Sequence, residues 1–214
     1  VAADNRTIRC SVPGGWSGYT KLHIWNLTEY DKVVYIDADT LVLRNIDTLF
    51  DYPEFCAAPN VYESLGDFHR MNSGVFTARP DPATYAAMLE RLDQPGAFWR
   101  RTDQTFLQEW FPDWHGLPVT FNMLQYVWFN MPALWNWDAI KVLHFQYEKP
   151  WQDHAKADRL RPLIDLWHAY AAGEAPDLSR MPPPPVISLF LQKPRGVSLG
   201  VLSEAIGAEA RALA

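Results

Sequence analysis

Two carboxylates stand two residues apart directly after an apolar stretch of the chain. Asp37 and Asp39 follow residues 33–36, with Ala38 between them and Thr40 after them. The β-branched and aromatic residues of 33–36 predict a buried strand. Because α/β sheets bind ligands at the carboxyl ends of their strands, we expect the pair to lie at such an edge. Two carboxylates there can hold a divalent cation, which in turn can bind a diphosphate.

Two classes of enzyme place an Asp-x-Asp pair after a strand. Haloacid-dehalogenase-type phosphatases also have a nearby threonine, but they need a later acidic motif, either adjacent Asp residues or Gly-Asp-x-x-x-Asp. The sequence has no Asp-Asp pair, and Met71 stands where the second motif after Gly66-Asp67 would require Asp. Nucleotide-sugar transferases of the GT-A type use the pair as a metal clamp. The pattern therefore favours the second class.

Composition excludes several other classes of protein. The 214 residues are 48% hydrophobic and 21% charged, which is typical of a folded chain rather than a disordered one. No apolar run is long enough to span a membrane. The net charge of −6 excludes bulk attraction to nucleic acid or to an anionic membrane. Two cysteines, Cys10 and Cys56, do not make a disulfide framework, so we expect a reducing, cytoplasmic compartment.

The periodicity of apolar residues predicts the elements that must position these side chains. Strands are predicted at residues 32–36, 41–43, 55–58, 74–77, 119–121 and 140–145, and helices at 19–27, 82–92, 103–111 and 158–171. The alternation of strands and helices predicts an α/β fold. Residues 1–18 are predicted to be loop. The proline run 182–185 indicates that residues 173–214 are a linker and tail, with a last helix near 201–213, so the domain is predicted to cover residues 1–172.

Four further motifs follow in a fixed order along the chain. They are Lys21 within Thr20-Lys21-Leu22-His23-Ile24-Trp25, the segment Asn72-Ser73-Gly74-Val75-Phe76, the pair Asp103-Gln104, and the segment His144-Phe145-Gln146-Tyr147-Glu148-Lys149-Pro150-Trp151. Together with the carboxylate pair, this set resembles glycosyltransferase family 8, and within it the glycogenin-like and galactinol-synthase-like branch. The resemblance covers about residues 16–171. Each motif is weak alone, whereas five in the right order are specific.

The resemblance implies a GT-A-type, Rossmann-like fold, a UDP-sugar donor, Mn²⁺ and retention of anomeric configuration. It implies Asp37, Asp39 and His144 as metal ligands. It implies that Lys149 contacts the β-phosphate, that Lys21 lies near the donor, and that Asp103 or Gln104 lies near the anomeric carbon. The other expected donor contacts are Ala38, Asn72, Ser73 and Gly74. Since only a neutral imidazole binds metal, we expect activity to fall at acid pH.

The sequence also departs from the family in several places. Nothing matches the strand–helix–strand unit with which family members begin, so the chain resembles an N-terminally truncated member. Glycogenin reads His-Phe-x-Gly-x-x-Lys-Pro-Trp, whereas the segment after His144 is one residue shorter and has no glycine. Arg100 replaces a glycogenin carboxylate, and Phe129 stands roughly where glycogenin has its self-glucosylated tyrosine. Tyr126 is out of register, so we expect no priming by autoglucosylation.

The resulting hypothesis is a metal-dependent retaining glycosyltransferase that moves a hexose from a UDP-sugar to a sugar, a polyol or another small acceptor. The alternative is an inactive, truncated module that binds sugar nucleotides or carbohydrates. We expect no nucleic-acid partner and no membrane span, and we leave a homodimer open. The acceptor pocket is predicted among residues 60–71 and 122–137.

Overall fold

The computed structural model describes residues 17–61, 68–94 and 102–185. A compact unit ends at Pro184 and contains all of these residues except Pro185. The predicted helix near 201–213 and nearly all of the predicted loop 1–18 lie outside the described residues. No described helix has the length and apolarity needed to cross a membrane.

Seven strands form two sheets in the described part of the chain. In chain order they are β1 (Val33–Ile36), β2 (Thr40–Val42), β3 (Cys56–Pro59), β4 (Met71–Ala78), β5 (His115–Gly116), β6 (Met123–Leu124) and β7 (Val142–His144). One sheet has the order β1-β4-β3-β5, and the other has the order β2-β7-β6. The long strand β4 is antiparallel to both of its neighbours, and β5 runs parallel to β3.

The register of the two sheets brings distant parts of the chain together at the carboxylate pair. In the first sheet, Ile36 lies opposite Val75, and the backbone N–H of Asp37 donates to the carbonyl of Gly74 over 2.8 Å. In the second sheet, Thr40 lies opposite His144. The chain thus leaves one sheet at Ile36 and enters the other at Thr40, and the residues between them are held from both sides.

Four α-helices accompany the sheets: α1 (Pro82–Asp93), α2 (Asp103–Trp110), α3 (Val127–Asn130) and α4 (Ala157–Ala171). Asp81 caps α1 through the N–H groups of residues 83 and 84, and Thr102 caps α2 by accepting from the N–H of Thr105. The described 3₁₀ helices are Ser17–Asn26, Asp47–Asp51, Val119–Phe121, Pro132–Leu134 and Leu178–Arg180. These elements confirm the predicted α/β class.

Most predicted elements are confirmed, with shifted ends. The first helix is a 3₁₀ helix with a kink at Tyr19, and the strand predicted at 74–77 begins at Met71, so that Asn72 also lies in β4. The strand predicted at 140–145 is paired only over β7.

The strand predicted at residues 119–121 is wrong, because these residues form a 3₁₀ turn. The N–H of Phe121 returns to the carbonyl of Pro118 over 3.0 Å, and the N–H of Asn122 returns to that of Val119 over 3.0 Å. Pro118 has no backbone N–H to donate to a neighbouring strand. The N–H groups of Phe121 and Asn122 donate to carbonyls of the same turn, so they are not available for pairing with a strand.

The burial predicted for the strand before the carboxylates is also wrong. Within the described residues, β1 is an edge strand with β4 as its partner, and Ile36 is 38% exposed. Its apolar composition therefore predicted a strand correctly but not the strand's position in the sheet.

Aromatic side chains fill the core on both sides of the site. Under the first sheet, Trp25 stacks on Phe76 and Phe111 with centroid distances of 5.8 and 5.7 Å. Beside the second sheet, three buried tryptophans at 128, 135 and 137 pack edge to face or tilted. These aromatic side chains serve to pack the core.

The compact unit continues past the domain end expected at residue 172. Leu178 and Met181 pack against the tryptophan-rich core. The indole N–H of Trp137 donates to the carbonyl of Pro182 over 2.8 Å. The start of the expected tail therefore belongs to the folded unit, which ends at Pro184.

Candidate active site

A polar cavity of about 580 Å³ opens where the two sheets meet. Nine of the eleven site residues predicted from the sequence line it. The lining residues are Lys21, Asp37, Asp39, Asn60, Arg70, Asn72, Ser73, Thr102, Asp103, Gln104, Thr105, His144, Gln146, Tyr147 and Lys149. The two predicted site residues that do not line the cavity are Ala38 and Gly74. The nine predicted residues that line the cavity come from five separate segments of the sequence.

Asp37, Asp39 and His144 form a group that could hold a metal ion, because one ligand atom from each lies within 4.8 Å of the others. The imidazole Nε2 of His144 is 3.5 Å from a carboxylate oxygen of Asp39 and 3.9 Å from one of Asp37. Asp37 and Asp39 follow β1, and His144 ends β7. The register of the second sheet therefore sets this geometry.

A hydrogen bond on the side of the ring away from the carboxylates fixes the orientation of His144. Its Nδ1 lies 2.9 Å from the side-chain oxygen of Asn122, so Nε2 faces the carboxylates. The Asn122 side-chain amide also donates to the side-chain oxygen of Asn72 over 2.8 Å, and all three residues are buried. Such a hydrogen bond to the second ring nitrogen is usual for a histidine that binds a metal.

Gly74 leaves the space that His144 occupies. A Cβ at this position would lie 2.3 Å from Cε1 and 2.5 Å from Nδ1 of the imidazole, closer than atoms can approach. The role of Gly74 in the geometry is therefore to admit the His144 ring beside β4.

Asp39 is partnered by two groups. Its carboxylate accepts from the Lys149 ammonium and faces His144. Burial alone would raise the pKa of the Asp39 carboxyl, but the hydrogen bonds and charges of His144 and Lys149 outweigh it and hold the pKa well below its ordinary value. Lys149 also donates to the carbonyl of Phe145 over 3.0 Å. Asp39 is therefore ionised at neutral pH.

Lys21 joins the carboxylate pair to the start of α2. Its ammonium is 3.1 Å from the Asp37 carboxylate and 2.6 Å from that of Asp103. The hydroxyl of Tyr35 donates to Asp37 over 2.7 Å. Burial, and then this hydrogen bond, raises the pKa of the Tyr35 hydroxyl far above its usual range.

Strand β4 carries the polar groups that face α2. The hydroxyl of Ser73 donates to Asp103 over 3.0 Å, and the backbone N–H of Ser73 donates to the side-chain oxygen of Gln104 over 3.2 Å. The Asn72 oxygen accepts from the N–H of Gly74, and its amide donates to Asn60. The cap at Thr102 thus places Asp103 and Gln104 against the strand.

Several residues of the cavity and its surroundings were not predicted from the sequence. Arg70 and Asn60 fall within the region 60–71 that was predicted to hold the acceptor, and both line the cavity. Most of the region 122–137 is instead buried core. Gln146 and Tyr147 lie inside a motif that was recognised, and could have been found there, whereas no local pattern marks Asn122. Ala38 is exposed between the two carboxylates.

Residues 16–59 match the family model "Glycosyl transferase family 8". The chain is 37% identical over 164 residues to Glycogenin-1 of Caenorhabditis elegans, with 71% of this chain and 37% of that protein covered. It is 34% identical over 143 residues to UDP-glucuronate:xylan alpha-glucuronosyltransferase 1 of Arabidopsis thaliana, covering 62% of this chain and 21% of that protein.

Among solved structures, the chain is similar to the glycosyltransferase GlyE of Streptococcus pneumoniae, with a TM-score of 0.55 and 18% identity over 75% of this chain and 44% of that one. Because the identity is low, this match shows only that the two chains share a fold, which is of the GT-A type. The sequence matches confirm the resemblance to glycosyltransferase family 8 and to its glycogenin-like members. The chain spans only about a fifth to two-fifths of the length of these two curated relatives.

Proposed function

We propose that this chain carries the metal and donor-sugar site of a retaining glycosyltransferase, which moves a hexose from a UDP-sugar to a sugar, polyol or other small acceptor. In this reaction the bond between the anomeric carbon and the β-phosphate oxygen breaks, and its electron pair leaves with UDP. The acceptor hydroxyl oxygen bonds to the anomeric carbon, and its proton is taken up by the released UDP or by water. The observation that carries the proposal is the cluster of two carboxylates and one imidazole beside two lysines.

The donor set of this cluster fits a divalent cation. Asp37 and Asp39 supply oxygen ligands and His144 supplies nitrogen, a mixture that suits Mn²⁺ and leaves coordination positions for phosphate oxygens. The Asn122 hydrogen bond directs the free imidazole nitrogen toward the carboxylates. A divalent cation bound there would neutralise charge that develops on the leaving diphosphate.

The two lysines of the cavity supply positive charge next to the proposed metal ligands. Lys149 lies against Asp39, and Lys21 lies between Asp37 and Asp103. We propose that the Lys149 ammonium leaves the Asp39 carboxylate and pairs with an oxygen of the β-phosphate when the donor binds. An ammonium group held at that position would lower the free energy of the transition state, because negative charge accumulates on the diphosphate as the bond breaks.

The start of α2 is the proposed site for the donor sugar. Asp103 and Gln104 present hydrogen-bonding groups to the cavity, and Ser73 and Lys21 hold them in place. Asn72, which also lines the cavity, is proposed to bind a sugar hydroxyl through its amide. Asp103 or Gln104 is the proposed catalytic group at the anomeric carbon.

Calorimetric titration of UDP tests the proposal on the chain itself. We expect binding in the presence of Mn²⁺ and loss of binding in chelator, because the diphosphate would be held through the cation. Donor sugars would then be compared on the same protein, with UDP-glucose and UDP-glucuronate as the first two. The second is chosen because the Arabidopsis relative is named for it.

A pair of variants makes the titration specific to the cluster. Asp39→Asn should reduce Mn²⁺-dependent affinity for UDP by at least about 10-fold, since it removes a charged ligand. Asp138→Asn removes an exposed carboxylate outside the cavity and should leave affinity unchanged. If folded protein bound no UDP in either condition, the transferase proposal would fail for this chain. The alternative of a carbohydrate-binding module would then be tested with sugars alone.

A further inference from the structure

Tyr147 has an unusual backbone conformation for its residue type. Its φ is +61°, and it is the one non-glycine residue with positive φ among those described. For a residue with a Cβ this left-handed conformation costs roughly 1–2 kcal/mol, so contacts elsewhere must hold it. The glycogenin motif has a glycine in this segment, and Tyr147 is the fourth residue of the segment that begins at His144.

Buried groups hold this conformation on both sides of Tyr147. The side-chain amide of Gln125 donates to the carbonyls of Gln146 and Glu148, the residues before and after it. The Tyr147 ring stacks on Tyr126, with centroids 5.7 Å apart and planes 20° apart. Tyr126 is itself 5% exposed. The structure thus imposes an unfavourable backbone conformation and fixes the direction of one aromatic ring.

That ring contributes the large aromatic surface of the cavity. Tyr147 lines the cavity and is 61% exposed, whereas His144, the other ring among the described lining residues, is buried. The remaining lining residues are charged or carry amide or hydroxyl groups. A pyranose has polar edges and faces of C–H groups, and a C–H face packs favourably on the electron-rich face of an aromatic ring.

We propose that Tyr147 is the platform on which the acceptor stacks a pyranose ring, which makes the acceptor a saccharide rather than a non-cyclic polyol. The inference rests on the proposed function and adds the acceptor's chemical class to it. Tyr147 lies two residues before Lys149 and three after His144, so its ring belongs to the segment proposed to hold the β-phosphate. The acceptor must approach the anomeric carbon bonded to that phosphate. The uracil base, in contrast, is separated from the β-phosphate by the α-phosphate and the ribose, so the ring is proposed to face the acceptor rather than the base.

The test measures oligosaccharide binding to protein saturated with UDP and Mn²⁺. Xylotetraose and maltotetraose are the probes, because they present pyranoses in differently shaped chains. We expect at least one to bind the unmodified protein. Tyr147→Asn and Tyr147→Gly both suit a positive φ and lack the ring, and each should weaken that binding by about 10-fold. Tyr147→Phe keeps the ring and should bind close to the unmodified level.

Controls separate the ring from general effects on the fold. Tyr30→Asn removes a tyrosine of similar exposure that does not line the cavity, and it should leave oligosaccharide binding unchanged. Thermal melting of each variant establishes that it is folded. The two ring-less variants provide independent tests, because glycine relaxes the backbone strain whereas asparagine retains a side chain.

The outcomes distinguish this inference from the function on which it rests. Absence of Mn²⁺-dependent UDP binding would overturn the proposed function. If UDP bound but neither oligosaccharide did, or if the ring-less variants bound oligosaccharide as tightly as the unmodified protein, the platform would be wrong. A loss of UDP affinity in Tyr147→Asn that equalled its loss of oligosaccharide affinity would place the ring against the nucleotide and overturn the inference as well.

Discussion

At the scale of single residues, Gly74 and His144 depend on each other. Gly74→Ala would place a Cβ within 2.5 Å of two ring atoms of His144. Because the surrounding core is packed, we expect a loss of about 1–3 kcal/mol in the free energy of unfolding. We also expect a loss of Mn²⁺-dependent UDP affinity of at least about 10-fold, since the imidazole must move. Chemical denaturation and calorimetry measure the two effects.

Gly116→Ala is the matched control for this substitution. A Cβ on Gly116 would lie 3.9 Å from a ring atom of Trp114, its nearest neighbour among the described residues, which is an ordinary contact. This variant should keep both its stability and its affinity for UDP. Equal losses in the two alanine variants would show that the close approach of Gly74 to His144 is not what matters.

Asp39 should make the stability of the metal-free protein depend on pH. Its pKa in the folded state lies below the ordinary value of 3.8, owing to His144 and Lys149. Asp39 therefore contributes stability above about pH 4, and this contribution is lost as the pH falls toward the folded-state pKa. Between pH 5 and pH 3, in chelator, the unmodified protein should lose more unfolding free energy than Asp39→Asn. Parallel curves for the two proteins would contradict this assignment.

At the scale of elements, the N-cap of α2 links helix stability to the site. Thr102→Ala removes the acceptor for the N–H of Thr105 and should cost about 1 kcal/mol of stability. Since α2 begins with Asp103 and Gln104, we expect the variant to bind UDP-glucose more weakly than the unmodified protein and UDP itself equally well. Thr102→Ser keeps the cap and should behave as the unmodified protein does.

Asp81→Ala serves as a control at the same scale. It removes the side-chain cap of α1, a helix that does not contribute to the cavity lining. It should lower the melting temperature without changing the preference for UDP-glucose over UDP. A changed preference would mean that helix stability in general, rather than the position of α2, governs donor binding.

Local patterns predicted these elements well because local forces form them. The apolar spacing of 82–92 and the cap at Thr102 identify α1 and α2 from nearby residues alone. The sequence also predicted Asp37, Asp39 and His144 as metal ligands, through motifs in a fixed order, and the structure brings these three side chains together. It could not predict that Asn122 orients His144, or that β1 lies at the edge of the described sheet. Those facts depend on contacts between residues far apart in the chain, which local patterns do not encode.

At the scale of the whole molecule, the segment 173–184 should contribute to stability. Leu178 and Met181 pack against the core, and Pro182 accepts a hydrogen bond from Trp137. A chain ending at Ala172 should therefore melt lower than one ending at Pro184, by roughly 4–8 °C for about 2 kcal/mol of lost burial. Equal melting temperatures in calorimetric scans would show that these contacts contribute little.

The charges around the cavity have a consequence for how the ligand arrives. Three carboxylates and three basic side chains line it, namely Asp37, Asp39, Asp103, Lys21, Arg70 and Lys149, while the whole chain carries −6. These side-chain charges cancel, so the proposed Mn²⁺ would be the cavity's main source of attraction for a nucleoside diphosphate, while the negative charge of the whole chain repels it. Proteins that attract phosphates through surplus positive side chains lose affinity steeply as salt is added. Here salt would screen the repulsion from the chain as well as the attraction to the cation, so the rate of association with UDP in saturating Mn²⁺ should change little with ionic strength, as stopped-flow measurements at increasing salt would reveal.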